Sequence, residues 1–178
     1  MSRAVIAGCS LFALVFSAML AARAPEPPQG KKEYLTESEA DKIREADNPS
    51  DRIKLFISFA DDRLKKFHYE LTRAIPERRR NEMLNSLLNA YAGCIDDAAD
   101  QIGIARERQA DIHAALKSMK AKGKEFLEDL QKLAQGGAEL EIYKDTLEDA
   151  IEATKDALTD VETAEKEMTP PPVRRKAS

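Results

Sequence analysis

The sequence predicts an all-α protein: an elongated antiparallel helical bundle, or coiled-coil hairpin, built around one very long central helix. Three observations carry this expectation. Apolar residues recur at alternating steps of four and three from Leu84 to Leu133. Only 7 of 178 residues are Gly and 34% are charged. A chain rich in Ala, Glu, Lys and Leu with few β-branched runs favours long helices over strands. The breakers Asn48-Pro49, Ile75-Pro76, Gly136-Gly137 and Pro170-Pro171-Pro172 divide the chain into a few long segments.

The first segment is residues 1–24. Arg3 precedes 19 uncharged residues, Ala4 to Ala22, and Arg23 closes the run. A basic start, an apolar stretch and small residues at its end mark an export signal. Cleavage at Ala22-Arg23-Ala24 would leave Pro25 first, where proline lacks an N–H. Cleavage after Ala22 is the other site. An uncleaved membrane anchor is the alternative, because an apolar run of this length nearly spans a bilayer. The expected location is therefore the periplasm or the outside of the cell. Ile6-Ala7-Gly8-Cys9 has the look of a lipoprotein box but lies too early for one. Residues 25–35 form a Pro-rich linker with nothing to bury.

Residues 36–168 are the predicted bundle domain. Thr36 and Glu39 have capping-box spacing, so a short helix should run to about Asp47. Asn48 then caps a second helix with Pro49 at its first position and Asp51 in its first turn. Ile53, Phe56, Ile57, Ala60, Leu64, Phe67 and Leu71 form its stripe, widened by Leu55 and Phe59 to meet more than one neighbour. Ile75-Pro76 turns the chain.

The third segment carries the seam: Leu84, Leu88, Tyr91, Ile95, Ala98, Ile102, Ala105, Gln109, Ile112, Leu116, Met119, Gly123, Phe126, Leu130 and Leu133. Only Gln109 and Gly123 are not apolar. The unbroken phase predicts one seam along a helix from Pro76 to Gln135, about 90 Å long, with a bend or a tight break expected at Gly123. Gly136-Gly137 stops it in a left-handed C-cap. A last helix from about Ala138 to Met168 places Leu140, Tyr143, Leu147, Ala150, Ile151, Thr154, Leu158, Val161 and Met168 on one face. It should return along the second half of the long helix, with the second helix on the first half. Residues 169–178 are expected to be a disordered basic tail.

Charge narrows the function classes. The formal charge is −4, and loss of Arg3 and Arg23 lowers it by two to −6, so nucleic acid is not an expected partner. Arg63, Lys65, Lys66, Arg73, Arg78, Arg79 and Arg80 gather near one turn, a basic end that could meet an anionic surface. The last helix carries eleven acidic residues between Glu139 and Glu167. Covering the seam with two helices leaves a gap near Ala105, Gln109 and Ile112, which predicts a weak homodimer.

Site chemistry is sparse. His68 and His113 lack the Glu at three residues' distance that helical di-iron sites use. Asp96, Asp97 and Asp100 share a helix turn, too rigid to supply the six to eight oxygens of a calcium site. Cys94 lies among apolar neighbours as a small hydrophobe, and a covalent dimer is its other use. No catalytic, cofactor-binding or metal-binding residue is predicted, and no cofactor.

Leu35-Thr36-Glu37, the run Asp41 to Pro49, and Arg52 to Leu55 resemble the opening of secreted all-helical bacterial proteins with no known activity. The likeness extends through Asp62-Arg63-Leu64 and implies no activity, cofactor or catalytic residue. The expected function is that of an exported, non-enzymatic helical protein with a structural or protein-interaction role in the cell envelope, its protein partner undefined. A ligand- or cofactor-binding bundle using Phe56, Phe59 and Phe67 is the alternative.

Overall fold

The structure, a computed structural model, describes residues 34–73, 76–137 and 139–168, without the side chains of residues 77 and 78. The export signal, most of the linker, the tail from residue 169 and Cys9 lie outside the described residues. Five helices follow one another: α1 Glu37–Glu45, α2 Pro49–Thr72, α3 Glu77–Glu107, α4 His113–Ala134 and α5 Leu140–Glu167. No strand occurs among the described residues.

The helix starts follow local chemistry. Thr36 and Glu39 form the reciprocal capping box of α1. The Asn48 side chain accepts from the Asp51 N–H at 2.9 Å, with Pro49 beginning α2. Between α4 and α5, Gly136 takes φ +121°, a conformation open to glycine at little cost.

The single long helix does not form. The chain reverses between Glu107 and His113, and α3 and α4 lie on opposite sides of one core. Gln109 adopts φ +51°. The Ala110 N–H bonds the Ala105 carbonyl at 2.9 Å and the Gln109 N–H bonds the Arg106 carbonyl at 3.1 Å. Together they make the paired six-to-one and five-to-two closure of a Schellman motif, built without glycine. Asp111 then accepts from the His113 N–H at 3.2 Å, a local side-chain turn just before α4, whose N-cap Ile112 has no side-chain cap of its own. Gly123, the expected weak place, is helical and buried inside α4. The break falls at Gln109 because that seam position has no apolar group to bury, and Arg106-Glu107-Arg108 before it brings none either.

Around the bundle the order is α2, α3, α5, α4. Connectivity makes α2/α3 and α4/α5 antiparallel, and α3/α5 and α2/α4 parallel. Asn85 fixes the α3/α5 register by donating to the Ile142 carbonyl at 2.9 Å and accepting from Thr146 at 2.6 Å. So α2 packs on α3, and α5 on α4, as the sequence suggested, but each also covers the other half of the seam. Ala105 and Ile112 are wholly buried within one chain, and the gap expected there is closed.

Aromatic rings fill both diagonals. Tyr91 meets Phe126 edge-on at 5.7 Å, and Phe67 meets Tyr143 edge-on at 5.2 Å. Thr154 Oγ1 donates to the Ala150 carbonyl, which leaves it free to accept from the Tyr91 hydroxyl at 2.7 Å. That pairing satisfies two buried hydroxyls in the middle of the core. Phe56 and Phe59 pack against one another as well, so the aromatic stripe of α2 is core.

Candidate functional site

At one end of the bundle α2 finishes, α3 begins, α4 finishes and α5 begins. Six of the seven basic residues singled out in the sequence have described side chains, and most of their charge is spent inside the fold. Arg80 is buried; its guanidinium donates to the Leu71 and Arg73 carbonyls at the end of α2 and to Glu139 before α5. It thus caps one helix and ties it to another. Arg63 is buried against Glu39. Lys65, Lys66 and Arg73 pair with Asp61, Asp62 and Glu70 on their own helix. Arg73 also lies over the ring of Tyr69, which is 62% exposed. Arg79 is exposed, and the Arg78 side chain is outside the described residues.

Beside Arg80 opens a cleft of about 450 Å³. Leu71, Leu133 and Tyr143 supply its apolar lining. At its rim His68 Nε2 lies 2.6 Å from Asp129 Oδ2, joining α2 to α4, and Lys132 adds an ammonium. Burial, and then Glu139, push the Tyr143 phenol above its ordinary pKa, so the hydroxyl stays protonated. Sequence reading did not find this cleft, because its residues come from four helices and share no motif.

The other candidates resolve as follows. Cys94 is fully buried, which suits a core hydrophobe and places the thiol out of reach of a second chain. Asp97 is buried and accepts from the Tyr34 hydroxyl, while Asp96 and Asp100 are exposed. Burial, then Asp100 and Asp156, hold the Asp96 carboxyl above its usual range. No group of three or more His, Cys, Asp or Glu side chains among the described residues is arranged to hold a metal ion. His113 folds back on Asp111 at 2.9 Å.

The outer face of α5 differs from the rest of the surface. Glu141, Asp145, Glu148, Asp149, Glu152, Asp156, Asp160 and Glu162 are exposed and make no ion pair among the described residues. On α2, by contrast, Asp51, Asp61, Asp62 and Glu70 each form an ion pair with a cation three or four residues away, whereas Glu141, Glu148, Glu152 and Glu162 have Lys144, Lys155 or Lys166 at the same spacing without pairing. No helix among the described residues is long and apolar enough to cross a membrane. No family model matches the chain, and comparisons with curated proteins and with solved structures give no match either.

Proposed function

We propose that this chain is an exported, non-enzymatic helical bundle that acts through its surface, in a structural or protein-interaction role in the cell envelope. The observation that carries this reading is the row of exposed, unpaired carboxylates on α5, set against α2, whose carboxylates pair along their own helix, and against Arg63 and Arg80, which tie elements together. An acidic stripe facing outward suits a basic protein surface and repels nucleic acid. Export rests on the residue pattern of positions 1–24. The experiment is affinity capture from the native envelope with wild type and with a variant carrying Asp145→Lys, Glu148→Lys and Glu152→Lys. Partners retained by wild type and lost by the variant support the reading. An identical set from both counts against it. Intact mass of the native protein decides processing: a mature form beginning near Arg23 is expected, and a full-length species held in the membrane after high-salt washing identifies an anchor.

The end cleft favours a second reading, a ligand-binding bundle. Its apolar lining, with the Lys132 ammonium at a rim that also carries the His68–Asp129 and Arg80–Glu139 pairs, is the arrangement that suits a small amphipathic molecule. Native mass spectrometry and an absorbance spectrum with metal analysis of the purified protein test it. A co-purifying ligand lost on Lys132→Glu would establish it.

A further inference from the structure

Tyr34 and Leu35, which the sequence assigned to the linker, pack against the bundle. The Tyr34 ring lies directly on Gly93 of α3, where an added Cβ would come within 2.8 Å of the ring. Its hydroxyl donates to Asp97, one turn further along α3. Its backbone carbonyl accepts from Arg63 Nη2 at 3.0 Å. The same guanidinium grips both oxygens of Glu39, at 2.5 and 2.6 Å. Leu35 is buried beside them at 9% exposure. By contrast, α1 itself buries only Glu39, so no apolar stripe holds that helix down.

The segment 34–45 is therefore fastened by Tyr34, Leu35 and the partly buried Ile43 and by one ion-pair network, on top of four helices that share a core. Elements attached in this way open at lower free energy than the core beneath them. Lifting the segment returns both charges of the ion pair to water, which offsets part of what the pair contributes to closure.

We propose that the groove between α2 and α3 is a docking slot for an aromatic–aliphatic pair of residues, filled here by Tyr34 and Leu35 of the same chain, and that residues 34–45 act as a clasp that leaves and re-enters it while the four-helix bundle stays folded. The slot has a floor without a side chain at Gly93, a carboxylate acceptor for a phenol at Asp97, and a guanidinium aimed at a main-chain carbonyl at Arg63. Recognition is by shape, by one hydroxyl and by one backbone group, the elements of peptide recognition. Cys94 shares the Asp97 face of α3 at a three-residue step and is wholly buried. It lies near enough to Tyr34 and Arg63 to bear on their ionisation. It follows Gly93, on which the Tyr34 ring rests, so lifting the clasp is expected to expose its thiol.

The test uses the full chain with Cys9→Ser, so that Cys94 is the one thiol. Cys94 labelling by a disulfide reagent is followed without urea and at low urea, together with amide hydrogen exchange. Leu35→Ala loosens the clasp, and Gly93→Ala fills the slot floor without truncating anything. Each is expected to raise the labelling rate about tenfold or more, with α1 amide protection falling and α3 protection retained. A synthetic peptide spanning residues 33–46, at millimolar concentration, should slow labelling of the Leu35→Ala variant again. Labelling that follows global unfolding, with the same urea dependence as loss of α3 protection in every variant, overturns the clasp. Failure of the peptide to protect the variant overturns the slot.

Discussion

Two single residues decide where the long seam folds, and only one of them could be weighed from sequence. Gln109 holds φ +51° at the end of α3, a conformation that costs a side-chain-bearing residue roughly 1–2 kcal/mol. Gln109→Gly removes that cost and adds unfolded-state freedom, for a net stabilisation of about 0.5–1 kcal/mol. Urea unfolding measures it, and a lowered midpoint would contradict the left-handed cap. Gly123 shows the opposite balance. It is helical, where Ala is better by about 1 kcal/mol, yet a Cβ would lie 2.9 Å from Leu158 Cδ2 and 3.3 Å from its Cγ. Gly123→Ala should therefore give little or nothing in the native protein, because Leu158 has to move aside. In a Leu158→Ala background the same change should stabilise by about 1 kcal/mol. Equal effects in both backgrounds would mean that Leu158 does not limit the site. The sequence marked both positions as interruptions of the seam but ranked them by intrinsic propensity, which sees Gly and misses Gln. Tertiary packing weighs on both: the core has no apolar group to take from Gln109, and Leu158 rests on Gly123 within a continuous α4.

Helix caps were legible element by element, since Thr36, Glu39, Asn48, Pro49 and Gly136 act within a few residues of themselves. The clasp was not, because Tyr34 lies about sixty residues from Gly93 and Asp97 and no periodicity links it to them. Nor was the end cleft, whose groups come from four helices. Glu39 joins the two scales: it completes the capping box and meets Arg63 from the next helix. The hydrogen bonds from Arg63, chiefly, lower its pKa from the ordinary 4.5 to about 2, against the opposing pull of burial. A depressed folded-state pKa contributes stability that is fully present above about 4.5 and is lost as pH falls towards about 2. Hydrogen exchange of α1 amides should accelerate, relative to intrinsic rates, across that window. Glu39→Gln should weaken protection at neutral pH and flatten the acid dependence. An unchanged acid profile in the variant would show that Glu39 is not the group that titrates.

For the whole molecule, the seam is one surface although it is made by two helices. From Leu84 to Leu133 the apolar positions keep phase because α3 and α4 face the same core from opposite corners, with Tyr91 touching Phe126 across it. A four–three repeat reports which residues share a buried side; it does not report whether the backbone between them is continuous. That distinction changes the expectation for assembly. As a rod of about 90 Å, the seam would leave Ala105 and Ile112 uncovered and call for a second copy. Folded back on itself, it buries both within one chain. The largest exposed apolar side chain among the described residues is Tyr69, itself covered in part by Arg73. Among the described residues that gap is closed and Tyr69 is the one large apolar side chain exposed, and the acidic faces of two α5 helices would repel each other. Multi-angle light scattering of the mature protein should give the mass of one chain from micromolar to near-millimolar concentration. High salt should leave that mass unchanged. A mass that rises with concentration only at high salt would show copies held apart by the α5 charges. A rise at low salt would point to a contact made by residues outside the bundle.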